Sequence, residues 1–169
     1  ILKINKCKMT HISVNVNKFA LLRNSRGENQ PNLIDICQKC INYGANGITV
    51  HPRPDERHAK FSDLSSISEL ISSYEDIEFN IEGYPSDFFI EKVIKIRPDQ
   101  VTLVPDPPNA ITSSFGWNCS EHKKFLEKNV NKLQESNIRV SLFINPSNDT
   151  LENLESIKPN RVELYTFDY

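Results

Sequence analysis

Long apolar runs and a strong net charge are both missing from this chain. No stretch approaches the roughly 18 consecutive apolar residues of a membrane-spanning helix, and the segment ILKINKCKMTH lacks the apolar core of a signal peptide. The 20 basic and 22 acidic residues leave a net charge of -2, so overall charge does not hold the protein on nucleic acid or on an anionic membrane. We therefore predict a cytoplasmic protein without either partner, in which an anion site must be local.

Cysteine and glycine are scarce as well. The four cysteines could pair, but a chain of 169 residues without a secretion signal has little need of disulfides, so we predict reduced thiols. Cys37 and Cys40 have CxxC spacing within a predicted helix, and the chain has no second CxxC, which favours a buried or half-buried pair over zinc or redox chemistry. None of the five glycines forms a GxGxxG phosphate loop.

What the chain does contain is a regular alternation of strand-like and helix-like segments. The strand-like runs are rich in β-branched residues, and the segments between them carry apolar residues at helical spacing. The predicted strands are residues 12–17, 47–51, 78–82, 100–105, 139–145 and 161–166. Strict alternation predicts a parallel sheet, either doubly wound or closed into a barrel. The missing GxGxxG loop favours the barrel.

The predicted barrel is incomplete. A full eight-stranded β/α barrel needs roughly 200 residues or more, whereas this sequence of 169 residues ends directly after its last predicted strand. We therefore predict an α/β fold, a TIM-type β/α barrel with about six of eight β/α units, and interpret the chain as a fragment that lacks the C-terminal part. Because Met9 is the only methionine, we treat residues 1–9 as a candidate non-native N-terminal extension and residues 10–169 as the partial barrel domain.

The second and third predicted strands both end in groups that can exchange protons. GITVHPRPDERH, residues 47–58, continues a strand into a proline-stiffened loop that carries two histidines and two arginines. FNIEGYP places an acid inside an apolar strand, where it needs a partner or a function to offset its desolvation. Because the carboxyl ends of parallel strands share one edge of the sheet, we predict that His51 and Glu82 form an acid–base pair.

Cationic side chains near these strand ends predict a local anion site. Guanidinium groups bind phosphate or carboxylate in bidentate fashion. The candidate anion-binding residues are Arg26, Arg53, Arg57 and His58. Arg53 is better placed than Arg57, because Pro52 and Pro54 restrict its backbone. Further polar residues at strand ends are Asn15, Asp106, Thr112 and Glu163.

Six blocks of the sequence carry a resemblance to a known family. They are SVNVNKFALLRNSRG, GANGITVHPRPDERH, FNIEGYP, PDQVTLVPDPPNAITSSFGW, IRVSLFINP and RVELYT. In this order and spacing they resemble the pyridoxine 5'-phosphate synthase family, whose members are β/α barrels of vitamin B6 biosynthesis. The resemblance covers residues 12–169, and generic barrel patterning does not produce six such blocks in sequence.

The resemblance implies a transferase reaction and a set of residue roles. The family joins 3-amino-2-oxopropyl phosphate to 1-deoxy-D-xylulose 5-phosphate, closes the pyridine ring and releases phosphate and water, without a metal or organic cofactor. The implied roles are proton acceptance by His51 and Glu82, contacts to the amino-ketone phosphate by Asn15 and Arg26, and contacts to the deoxyxylulose phosphate by Arg53, His58 and Thr112. The implied partners are small phosphorylated substrates and further copies of the chain in a homo-oligomer.

Two departures from the family keep alternatives open. Asn17 and Lys18 stand where many members have Asp-His, so neither is assigned a role. The family's proton-donor histidine and its late Gly-rich phosphate site have no counterpart in this sequence, so we expect these residues alone to be inactive. The alternative function is therefore a truncated noncatalytic remnant that acts as a phosphate-ligand binding or assembly module. Another phosphosugar isomerase or aldolase is disfavoured, since only Lys18 lies near a strand as a Schiff-base candidate.

Overall fold

Six parallel strands alternate with helices in the computed structural model, which describes residues 10–106 and 114–167. The strands are β1 (Ser13–Asn15), β2 (Gly47–Val50), β3 (Glu78–Gly83), β4 (Gln100–Leu103), β5 (Arg139–Ile144) and β6 (Arg161–Leu164). The helices are α1 (Asn17–Arg26), α2 (Leu33–Asn42), α3 (Asp63–Ile71), α4 (Asp87–Ile96), α5 (Lys123–Glu135) and α6 (Asn148–Ile157). Each strand pairs in parallel with the next in chain order. The predicted parallel α/β sheet is confirmed, and residues 1–9 lie outside the described part of the chain.

Helix α1 was not predicted. The first predicted strand extends through residue 17, whereas the chain turns into a helix directly after β1, which ends at Asn15. Ala20 and Arg23 are its buried residues, and its apolar Leu21 and Leu22 are exposed. An apolar stripe at helical spacing is therefore absent from α1, which removes the signal that marks the other helices. Gly27 ends α1 with φ +79, and its N–H donates to the carbonyl oxygen of Arg23.

The sheet has one apolar face and one polar face. The helix-facing side chains of β2 to β5 include Ile48, Val50, Phe79, Ile81, Val101, Leu103, Val140 and Leu142, which share one buried core with the helices. Alternate residues point to the other face. There Asn80 Nδ2 donates to Thr49 Oγ1 at 3.3 Å, and Thr102 Oγ1 donates to Asn80 Oδ1 at 3.1 Å. The inner face of the curved sheet is thus lined by hydrogen-bonded polar groups.

Ion pairs across this inner face show that the sheet curls toward a barrel. Strands β3 and β6 are separated by two others, which would put them about 14 Å apart in a flat sheet. Nevertheless Arg161 Nη1 of β6 lies 3.1 Å from Glu78 Oε2 of β3. Arg139 of β5 also reaches the same carboxylate, at 2.6 Å. The six strands therefore form a strongly curved part of a TIM-type β/α barrel, as predicted.

The cysteine prediction is confirmed for the described residues. Cys37 is buried and Cys40 is half-buried, both on α2, and both are free thiols, as is the buried Cys119. Burial and then the neighbouring Cys40 raise the pKa of Cys37 to about 12. A thiol that keeps its proton at neutral pH is a poor metal ligand and a poor nucleophile. Cys37 and Cys40 therefore pack as apolar side chains between α2 and the sheet.

Candidate active site

His51 and Glu82 lie side by side at the carboxyl ends of neighbouring strands. His51 directly follows β2, and Glu82 lies near the end of β3. His51 Nδ1 is 3.5 Å from Glu82 Oε2, with side chains 8% and 14% exposed. This distance exceeds an ordinary hydrogen bond of about 3 Å, but contacts between catalytic groups are often long before substrate binds. The structure thus brings together the two residues that the sequence predicts as an acid–base pair.

Asn17 fixes the backbone of His51. Its side-chain oxygen accepts a hydrogen bond from the His51 N–H at 2.9 Å, and its own N–H donates to Asn15 Oδ1 at 3.0 Å. The end of β1 is therefore tied to the first residue beyond β2. Asn17 has no role predicted from the sequence, where it stands in place of the family's more common Asp; the parallel pairing of β1 with β2 brings it to His51.

Glu163 approaches the same pair from β6. Burial first and the charge of Glu82 second raise its pKa to about 7, although a hydrogen bond with Thr102 acts in the opposite direction. A carboxyl group with a pKa near neutrality is present in both forms, so it can donate or accept a proton. His51, Glu82 and Glu163 form what we call the acid–base cluster. Glu163 was named as a strand-end residue in the sequence analysis but was not chosen for the site.

Arg53 is buried and paired with Asp106. Its Nη2 lies 2.7 Å from Asp106 Oδ2, and the two side chains are 5% and 3% exposed. Asp106 follows β4, so the ion pair joins the loop after β2 to the end of β4. The sequence predicts Arg53 as an anion-binding residue but gives no sign of its partner, which is more than fifty positions away in the chain.

His58 lies among positive charges. Burial is the main cause that lowers its pKa, and further positive groups act in the same direction. These groups are Arg57, Arg53, His51 and Lys18. His58 Nδ1 is also buried, and no group in residues 10–106 or 114–167 hydrogen-bonds to it. Lys18, Arg53, Arg57 and His58 form what we call the cationic rim, where a bound anion would offset the mutual repulsion.

Helix α1 holds the loop that carries the cationic rim. Asn24 Nδ2 donates to the backbone carbonyls of residues 56–58 at 3.1, 3.0 and 2.8 Å. Arg23 forms a bidentate pair with Asp63, at 2.8 and 2.9 Å, and Asp63 also accepts from the Lys60 N–H at 2.7 Å. Neither Arg23 nor Asn24 is among the site residues predicted from the sequence. The structure assigns them to fixing the loop.

Asn15 and Arg26 are two further predicted site residues, and both are exposed. Asn15 is exposed and its side chain accepts from the N–H of Asn17. Arg26 is exposed on the last turn of α1, and within the described residues no hydrogen bond or ion pair joins it to the cluster. Thr112 lies outside the described residues. Of the predicted site residues, the structure therefore brings together His51, Glu82, Arg53 and His58.

A cavity of about 400 Å³ opens beside the acid–base cluster. His51, Arg53 and Asp106 give it a polar side, and aromatic residues of the neighbouring loops and of the first turn of α4 give it an apolar side. The residues that line it are His51, Pro52, Arg53, Pro54, Glu56, Phe61, Tyr84, Ser86, Phe88, Phe89 and Asp106. A few polar groups that converge on an otherwise apolar cavity are typical of a site for a small molecule.

The lowered pKa of His58 predicts pH-dependent anion binding. In the free protein burial and the neighbouring cations favour neutral His58, so its pKa lies below the ordinary 6.5. A bound anion favours the protonated form, so binding takes up a proton, and affinity should rise as the pH is lowered through the range in which His58 becomes protonated. Sulfate is the suitable probe because, unlike a phosphate monoester, whose second pKa is near 6, it does not titrate in this range. Titration calorimetry should show this dependence in the wild type.

The His58→Asn variant tests the origin of this pH dependence. We expect it to bind sulfate more weakly at low pH and to lose most of the gain in affinity. His122→Asn is the matched control, because His122 packs edge-on against Trp117 and lies outside the cationic rim. An unaltered pH dependence in His58→Asn would rule out this role for His58.

Solved structures share this fold. A mandelate oxidase variant aligns with 90% of this chain over 47% of its own length, with a TM-score of 0.59 and 10% identity. A D-psicose 3-epimerase matches 92% of this chain and 62% of its own, with a TM-score of 0.55 and 11% identity. Likeness at such identity concerns the fold alone. Fold and site together define a β/α-barrel protein with an acid–base cluster and a cationic rim at the carboxyl ends of its strands.

The chain belongs to the family described as "Pyridoxal phosphate biosynthesis protein PdxJ", whose model matches residues 12–169. It is 48% identical over 161 residues to the pyridoxine 5'-phosphate synthase of Parabacteroides distasonis, and the aligned part is 95% of this chain and 66% of that protein. It is 46% identical, with the same coverage, to the synthase of Cytophaga hutchinsonii. The chain thus spans somewhat less than two thirds of the length of these relatives. No helix in the described residues is long and apolar enough to span a membrane.

Proposed function

We propose that the protein is a pyridoxine 5'-phosphate synthase. It condenses 3-amino-2-oxopropyl phosphate with 1-deoxy-D-xylulose 5-phosphate and releases phosphate and water. Membership of a family of pyridoxal phosphate biosynthesis supports this, as do relatives named for the same synthase activity. The observation that carries the proposal is the 3.5 Å contact between His51 and Glu82 at the predicted strand ends.

The acid–base cluster performs the proton transfers. Imine formation, enolisation, loss of water and ring closure each move a proton, so several titratable groups in one half-buried site suit the reaction. His51 and Glu82 accept protons from the substrates. Glu163, with its pKa near 7, supplies a proton to a departing hydroxyl group or donates a hydrogen bond to an oxygen that gains charge. The side-chain oxygen of Asn17 keeps His51 in place by accepting a hydrogen bond from the His51 backbone N–H.

The cationic rim holds the phosphorylated substrates. Arg53 and His58 bind the phosphate of 1-deoxy-D-xylulose 5-phosphate, together with Thr112. Asn15 and Arg26 bind the phosphate of the amino ketone. Because Arg26 is exposed at the far end of α1, its contribution requires a further part of the site, such as another copy in a homo-oligomer. The retained acid–base cluster favours an enzyme over a noncatalytic phosphate-binding module.

Genetic complementation tests the proposal. A bacterial strain without its own pyridoxine 5'-phosphate synthase requires added pyridoxine. We expect the natural gene that encodes this sequence to restore growth without pyridoxine, and the same gene with Glu82→Gln to fail. Failure of the wild-type gene to restore growth, although the protein accumulates in folded form, would refute the proposal.

A further inference from the structure

The ion pair of Arg53 and Asp106 differs from others on this side of the sheet. It is more deeply buried: its two side chains are 5% and 3% exposed, against 8% and 18% for Arg23–Asp63 and 27% and 43% for Arg57–Asp55. Removing two opposite charges from water commonly costs as much as their attraction returns, so burial of this pair is not explained by stability. Both residues line the cavity beside the acid–base cluster. The pair therefore has a position in which it can act on a ligand.

The backbone on both sides of the pair is fixed. Arg53 lies between Pro52 and Pro54, whose rings restrict φ. On the other side, the N–H of Val104 donates to the carbonyl oxygen of Gly83 at 3.0 Å, which continues the pairing of β3 and β4 toward Asp106. Asp106 thus lies two residues beyond this hydrogen bond, and the guanidinium group reaches its carboxylate from the loop after β2.

We propose that Asp106 is a positioning residue for substrate binding, which holds the guanidinium group of Arg53 at the cavity so that its other N–H groups receive a substrate phosphate. This inference rests on the proposed function, because Arg53 is the residue assigned there to the deoxyxylulose phosphate. An arginine has five N–H donors in a rigid fork, so one edge can bind a carboxylate while another binds phosphate. A side chain already held in the bound geometry loses less conformational entropy when the ligand arrives.

Positioning and electrostatic competition predict opposite changes in phosphate affinity when the Asp106 carboxylate is removed. If Asp106 only competed with phosphate for Arg53, removing its negative charge would tighten phosphate binding. If it positions Arg53, removing the carboxylate weakens binding, since the long side chain must be ordered by the ligand. Immobilising one such side chain corresponds to about a tenfold change in affinity. The geometry favours positioning, because a 2.7 Å charged hydrogen bond fixes both direction and distance.

Inorganic phosphate is the probe, with the protein expressed from its natural gene and measured by titration calorimetry. We expect Asp106→Ala to weaken phosphate binding about tenfold and to raise KM for 1-deoxy-D-xylulose 5-phosphate by a similar factor, with a smaller change in kcat. Asp106→Asn retains an acceptor oxygen of the same reach and should recover most of the affinity. This rescue separates positioning from loss of folding, because Asp106→Asn also removes the buried charge.

A double-mutant cycle tests whether Asp106 acts through Arg53. In the background of Arg53→Ala, the further change Asp106→Ala should leave phosphate affinity unaltered. Glu78→Gln is the control, because Glu78 binds Arg139 and Arg161 at the opposite ends of the strands. It should leave phosphate affinity as in the wild type.

Three results would overturn the positioning role of Asp106. The first is a wild type that does not bind phosphate. The second is an Asp106→Ala variant that binds phosphate as tightly as the wild type or more tightly. The third is full additivity of Asp106→Ala and Arg53→Ala in phosphate affinity. If phosphate binding follows the expected pattern but the wild type makes no pyridoxine 5'-phosphate, the proposed function fails while the role of Asp106 stands.

Discussion

Replacing Glu82 with Gln is expected to lower the rate of pyridoxine 5'-phosphate formation about 10²- to 10⁴-fold. The amide has nearly the volume of the carboxyl group, but it does not accept a proton. Since Glu82 Oε2 lies 3.5 Å from His51 Nδ1, the substitution removes one base of the cluster and leaves its neighbours in place. Steady-state rates with both phosphorylated substrates measure the effect, and the melting temperature reports whether the fold is retained.

The control for this substitution lies on the same strand. Glu78→Gln makes the same chemical change at the start of β3, where the carboxylate pairs with Arg139 and Arg161 away from the cavity. We expect this variant to keep nearly the wild-type rate. Wild-type turnover in Glu82→Gln, or an equal loss in both variants, would contradict the role of Glu82 as a proton acceptor.

Replacing Glu163 with Gln is expected to change how stability depends on pH. The pKa of Glu163 is about 7 in the folded protein and near 4.5 for an ordinary glutamate. Between these values the folded protein keeps a proton that the unfolded chain has lost, so wild-type stability falls as the pH rises through this window. In Glu163→Gln the side chain stays neutral, so the stability of this variant does not fall in this window. Urea unfolding at about pH 8 should show it more stable than the wild type by about 1–3 kcal/mol.

Exposed glutamates provide the control for Glu163. Glu155 lies on α6 and is exposed, so Glu155→Gln should follow the wild-type curve. A second readout is the rate itself, which in the wild type should decline as the pH rises past about 7 and Glu163 loses its proton. Glu163→Gln should be slower and should lack this decline. Identical stability curves for the wild type and Glu163→Gln would contradict the raised pKa.

Much of the fold could be predicted from the sequence, because the local pattern and the tertiary structure agree. Runs of β-branched residues mark all six strands. Each predicted strand agrees with the observed strand to within two residues at both ends, as at Gly47–Val50 and Arg139–Ile144. The pairing of His51 with Glu82 also follows from sequence, because the ends of consecutive parallel strands must be neighbours. Helix α1 could not be predicted, since its buried residues are Ala20 and the charged Arg23, whose partner Asp63 lies forty positions away in the chain.

The less predictable features of the site depend on contacts between distant parts of the chain. Burial first and the charge of Glu82 second raise the pKa of Glu163, and no spacing in the sequence indicates the curvature that brings β6 near Glu82. Asp106 follows a strand in an ordinary Pro-Asp-Pro segment, and its partner Arg53 is known only from the folded structure. Asn17 likewise has a role only because β1 pairs with β2. Local patterns identify the strand ends, whereas these partners require the assembled sheet.

We propose that the acid–base cluster and the cationic rim together form the site of a pyridoxine 5'-phosphate synthase. The most direct measurement quantifies pyridoxine 5'-phosphate and inorganic phosphate after the protein, expressed from its natural gene, is mixed with both substrates near neutral pH. We predict equimolar amounts of the two products, and neither product when one substrate is omitted. A folded protein that binds phosphate but forms neither product from the complete mixture would contradict the claim.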